Sequence, residues 1–178
     1  MIKKLFLLAT ILVAAMTASA QDDDLKNEIG VYYGFGSASN VVSSIGTAFS
    51  FSNSDKSGFW GPVGLEYYHH VTPVVAVGAM ASVAGCKYGD KDGSSTFITV
   101  MPSVKFNWLR KEHFGMYSSL SAGVMFAKTK HAGESDNKTQ FMGHISALGA
   151  EFGSQFRGFV ELGFGERGVV TAGVRYKF

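Results

Sequence analysis

Between Phe97 and Trp108 the chain changes character at every residue. Ile98, Val100, Pro102, Val104, Phe106 and Trp108 fall on one side, and Phe97, Thr99, Met101, Ser103, Lys105 and Asn107 on the other. A side-chain period of two belongs to a β-strand with two unlike surroundings, and a helix cannot sort residues this way. The pattern recurs from Phe114 to Ala127 and from Val170 to Phe178. It is weaker but present in Ile29–Phe35, Val63–His70, Val75–Val83 and Phe159–Phe164. Thr139 to Phe152 is strand-like, with neither face clearly apolar. Together these segments predict eight strands.

The connections alternate in length. Phe35 to Gly61, Cys86 to Ser95 and Lys128 to Lys138 are long and polar, whereas Val71–Pro73, Leu109–His113 and Gly153–Arg157 are short. Glu166-Arg167 reads as a tight final hairpin. Long loops on one rim and short turns on the other form the pattern of a transmembrane barrel. Strands of about 10 residues suit a tilted crossing of the bilayer. In lipid every backbone polar group must be paired within the protein, so an all-β chain has to close on itself. The expected fold is therefore an all-β, eight-stranded antiparallel up-and-down transmembrane β-barrel over residues 28–178.

Eight strands enclose a space only wide enough for side chains. The alternation points Glu28, Glu66, Lys105, Glu161, Arg175 and Lys177 into that space as a lumen charge network. Facing lipid, an Arg or Lys near the midplane would cost about 2–4 kcal/mol. The 22 glycines fit the same picture, because a narrow lumen needs small residues opposite large ones. Trp108, Phe114, Phe152, Tyr176 and Phe178 fall near short-turn ends, as an interfacial aromatic girdle would. Pro102 removes a ladder donor in mid-strand, which predicts a bulge there. The segment Gly36 to Trp60 holds an apolar patch (Val41, Val42, Ile45, Phe49, Phe51), which fits a short amphipathic helix, a surface-binding segment or, the reading we prefer, strand extending beyond the bilayer. A soluble periplasmic lipid-binding barrel would also alternate, but with its apolar face inward and more charge outside.

Residues 1–20 read as a secretory signal peptide: Lys3 and Lys4, an apolar run, then Ala18-Ser19-Ala20 as a cleavage site near Ala20. Residues 21–27 would form a short periplasmic tail. The formal charge of +2 belongs to Lys3 and Lys4, so the mature chain is neutral, which gives no electrostatic case for nucleic acid. A single Cys excludes an intramolecular disulfide framework. The histidines lack ligand spacing on one face, since His69 and His70 are adjacent and point apart, so no metal is expected. Gly163 to Gly168 matches G-x-G-x-x-G, but a strand follows instead of the helix that dinucleotide binding requires.

Val174, Tyr176 and Phe178, spaced two apart at the chain end, resemble the C-terminal signature of outer-membrane barrels that the barrel-insertion machinery recognises. With the signal peptide and the eight strands, the mature chain resembles a small porin-like outer-membrane barrel of the OmpA/OmpX type. That resemblance implies a Gram-negative outer membrane, with lipid and lipopolysaccharide as surroundings and the insertion machinery as partner during biogenesis. It implies a monomer without cofactor, serving envelope integrity, adhesion or surface binding. A second resemblance is local. His144-Ile145-Ser146 is similar to the His-x-Ser motif of the lipid A 3-O-deacylase family, also eight-stranded outer-membrane barrels. It would make Ser146 the nucleophile toward an ester and His144 its base, with Glu161 on the next strand orienting the imidazole. Ala147 stands where that family has Asn.

Overall fold

The computed structural model describes residues 26–37, 57–88, 93–131 and 134–178. The signal peptide, most of the short tail and the patch Val41, Val42, Ile45, Phe49, Phe51 lie outside the described residues. Eight strands follow in order: β1 (Asn27–Phe35), β2 (Ser57–His70), β3 (Val75–Tyr88), β4 (Gly93–Arg110), β5 (Phe114–His131), β6 (Glu134–Gly153), β7 (Phe156–Gly165) and β8 (Val170–Lys177). Each pairs with its sequence neighbour, and β8 returns to β1, so the sheet is a closed antiparallel barrel. At the seam Asn27 and Phe178 exchange both backbone hydrogen bonds, each 2.9 Å long. Ile29 opposes Tyr176 and Val31 opposes Val174 on the same seam. Closure leaves neither β1 nor β8 as a free sheet edge over these pairs, as burial in lipid demands.

The wall is uneven in height. β4, β5 and β6 have 18, 18 and 20 residues, whereas β1, β7 and β8 have 9, 10 and 8. Two of the expected long loops are therefore mostly strand. The ladder runs to Tyr88 opposite Gly93 and to His131 opposite Glu134. Where both faces of a strand meet the same surroundings, the hydrogen bonds continue while the alternation that reveals them fades. Ser57 to Trp60 is likewise strand, paired with β3.

The bulges fall elsewhere than expected. Register is unbroken across Pro102 on both neighbouring strands, so the predicted bulge there is absent. Pro102 simply leaves one donor out of the ladder. A bulge sits instead in β6, where Ser146 opposes Ser119 but Gly149 opposes Tyr117, leaving Ala147 and Leu148 against Ser118 alone. The Ser118 hydroxyl donates to the Ala147 carbonyl at 2.7 Å and so holds the kink. One extra residue reverses the facing of everything after it. His144 and Ser146 point inward before the bulge, and Gly149 and Glu151 point inward after it. This is why Thr139 to Phe152 shows no single apolar face.

The two surfaces are sorted by chemistry. Outside lie Val31, Leu65, Val100, Leu120, Ile145, Leu162 and Val174, with Trp60, Trp108, Phe141 and Phe164. Among the described residues the buried apolar side chains are Tyr, Phe, Met and Ala, with Pro62. β-branched residues pack on a pleated outer face. Unbranched Met fills irregular gaps in a narrow interior. Aromatic pairs ring the short-turn end, Phe114 with Phe152 (5.0 Å between centroids), Phe156 with Tyr176 (4.7 Å) and Tyr176 with Phe178 (6.0 Å).

Candidate functional site

The lumen is the one region where the described residues concentrate charge. Glu28 (β1), Glu66 (β2), Lys105 (β4), Glu161 (β7), Arg175 and Lys177 (β8) all project into it and are buried. Three further charged groups join them that strand alternation does not place in the lumen: Glu151, and Glu166 and Arg167 of the final hairpin.

The network has two tiers. Near the short-turn end, Glu28 accepts from Lys105 at 2.8 Å and lies 2.9 Å from the Lys177 ammonium. The His70 Nε2 also meets Glu28. Glu151 is the hub of this tier, with Lys105 at 3.1 Å, Arg157 at 3.0 Å, Lys177 at 2.9 Å and Arg175 at 3.3 Å. In the upper tier Glu66 pairs with Arg175 and, at 2.9 Å, with Arg167. Glu161 pairs with Arg175 at 2.9 Å and Arg167 at 3.3 Å, and accepts from the Tyr117 hydroxyl at 2.6 Å. Arg175 therefore bridges both tiers.

Aromatic rings complete the packing. The Arg175 guanidinium lies 3.8 Å from the Phe159 centroid and 4.6 Å from that of Tyr117, while the Lys105 ammonium is 4.4 Å from the Tyr117 ring. A cation over a ring face recovers part of the solvation lost on burial. Beside the ions, Tyr32, Met80, Met101 and Phe159 form an apolar cluster against which Met142 packs. Hydroxyls line the adjoining wall, where Ser121 donates to Ser103 at 2.7 Å and Ser103 lies 2.9 Å from the Tyr68 hydroxyl.

Buried ion pairs are costly to desolvate and contribute little net stability, but deleting one partner strands a charge. The arrangement ties β1, β2, β4, β6, β7 and β8 together through shared ions.

Arg167 arrives by a route that no strand pattern shows. The β7–β8 connection folds back into the barrel, so Arg167 is 0% exposed. The Glu166 amide donates to the Gly143 carbonyl at 3.2 Å, and the Val169 amide to Phe35 at 2.8 Å. The Thr99 hydroxyl donates to Glu166 at 3.0 Å and the Thr171 hydroxyl to the Arg167 carbonyl at 3.1 Å. Gly168 sits at φ +110°, a backbone that favours glycine, and a Cβ at Gly34 would lie 1.7 Å from the Arg167 carbonyl oxygen. The G-x-G-x-x-G segment thus makes an indented hairpin. Thr99→Val removes one charge-assisted anchor of this hairpin and is expected to cost about 1.5 kcal/mol. Denaturant midpoints of the refolded variant and parent check this.

His144, Ser146 and Glu161 share the inner wall, with Ser146 opposite Gly163 and Gly149 opposite Glu161. All three are buried in the lumen. No hydrogen bond joins them: both ring nitrogens of His144 and the Ser146 hydroxyl lack a partner among the described residues. Glu161 is held by Tyr117, Arg175 and Arg167 instead. Among the described residues no cluster of three His, Cys, Asp or Glu could hold a metal ion. Val174, Tyr176 and Phe178 lie along the closing strand and its end, at the β1–β8 seam.

The sequence carried one usable signal for Glu151. If Phe152 belongs to the aromatic girdle outside, its neighbour must face in.

Fold and lumen together define a closed antiparallel β-barrel with an apolar outer surface and a buried charge network within. The solved structure of Ail, the attachment invasion locus protein of Yersinia pestis, is similar in fold, with a TM-score of 0.44 at 17% identity over 86% of this chain and 97% of that chain. The same protein in complex with the heparin analogue sucrose octasulfate gives 0.46 at 16% identity, with the same 86% and 97% coverage. The chain matches no protein-family model and no curated protein.

Proposed function

We propose that the protein is an integral outer-membrane barrel with a closed lumen and a structural, adhesion or surface-binding role carried by its long-loop rim. The observation that supports this best is the inverted sorting of side chains. Glu28, Glu66, Glu151, Glu161, Lys105, Arg167 and Arg175 are buried inside, while Val, Leu, Ile and Phe cover the outside. A soluble lipid-binding barrel needs the opposite arrangement, an apolar cavity within a polar shell. Outer-membrane lipid and lipopolysaccharide would contact the apolar belt, and the insertion machinery would meet the Val174–Tyr176–Phe178 strand during assembly. The barrel would act as a monomer, without cofactor.

Two tiers of ion pairs and an apolar cluster support a lumen closed to solutes. Reconstitution into planar bilayers is expected to give no unit conductance steps. Reproducible steps of defined size would overturn the closed lumen. The location is checked by fractionation, in which the protein should stay with the outer membrane and show heat-modifiable gel mobility.

A further inference from the structure

Arg167 and Arg175 occupy the same carboxylates in different ways. Arg175 comes from a strand and donates hydrogen bonds to Glu66, Glu151 and Glu161. Arg167 comes from a turn, and none of its three guanidinium nitrogens has a hydrogen-bond partner among the described residues. It is held as an ion pair, 2.9 Å from Glu66 Oε2 and 3.3 Å from Glu161 Oε2. Neither of those two carboxylate oxygens accepts a hydrogen bond, although both are buried. The guanidinium plane also faces Tyr32, 4.1 Å from its centroid, with Phe159 at 5.9 Å.

We infer that Glu66, Glu161, Tyr32 and Phe159 form an organic-cation site which Arg167 fills as a tethered ligand. The site takes a guanidinium or primary ammonium group. Two carboxylates supply charge and an aromatic face supplies the contact that favours a weakly hydrated cation. A small metal ion would need a full shell of oxygens, which two carboxylates and a ring do not provide. The occupant sits on the indented β7–β8 hairpin, at the long-loop end, apart from the lower tier around Glu151.

The test is chemical rescue of Arg167→Ala in detergent micelles, read as the midpoint of heat-modifiable gel mobility. Low-millimolar methylguanidinium should raise the midpoint of Arg167→Ala well above the effect of sodium chloride at equal ionic strength. The parent, with its site filled, should not shift. Adding Glu66→Gln to the variant should abolish the rescue. Equal shifts from methylguanidinium and sodium, or an equal shift in the parent, would overturn the assignment. If Arg167→Ala does not refold alone, the same comparison is read as refolding yield: recovery with methylguanidinium supports the site, and failure with both salts overturns it.

Discussion

Glu151→Ala should be the most damaging single change in the interior, costing about 3–5 kcal/mol. The reason lies in how many cations share that carboxylate. Lys105, Arg157, Arg175 and Lys177 all lie within 3.3 Å of it. Removing it leaves Glu28 as the only carboxylate of the lower tier beside Lys105 and Lys177. Uncompensated ammonium groups then sit where water has little room to reach them, and like charges press against each other. Neutralising Lys105 as well, in Glu151→Ala/Lys105→Met, should recover part of the loss, because the pair costs less to remove together than singly. Urea titration in lipid vesicles, followed by gel mobility, measures both variants. Equal stability of Glu151→Ala and the parent would mean that the hub carries no load.

The second large effect is expected on the opposite surface. Leu120 faces outward between Val104 on β4 and Ile145 on β6. It stands midway along β5 between Phe114 and Phe126, near the centre of the apolar belt. Leu120→Arg should cost about 2–4 kcal/mol in a bilayer, because the guanidinium must reach an interface or draw water inward. The same substitution at Val71, in the short β2–β3 turn, should cost about 0–1 kcal/mol. A soluble barrel would show no such difference, since both positions would face water. The contrast between the two sites separates depth in lipid from a general intolerance of arginine.

Much of this architecture was legible because each strand sets an apolar outer face against a polar interior, which sorts residues with period two. Phe97 to Trp108 and Val170 to Phe178 show it without interruption, and the six lumen charges read from alternation all project inward. The reading failed where that constraint was broken or absent. The extra residue at Ala147 exchanges the two faces of β6, which hid Glu151 although Phe152 beside it marked the outer side. Above the bilayer, Lys130 opposite Ser135 and Lys87 opposite Ser94 are ladder pairs whose sequences look like loop. Pro102 drew attention to the wrong place, because losing one donor does not require a change of register. Arg167 was out of reach for a different reason. A turn that folds inward has no periodicity, and its only trace is the pair of glycines, Gly165 and Gly168, that lets it bend.

The central claim is that the apolar belt faces lipid, and the chain's two tryptophans report on it directly. Trp60 and Trp108 are on the outer surface, 45% and 55% exposed. In single-tryptophan variants reconstituted into vesicles, brominated acyl chains should quench each residue strongly, and aqueous iodide should quench them little. Quenching by iodide with no response to brominated lipid would place the belt in water and contradict the account.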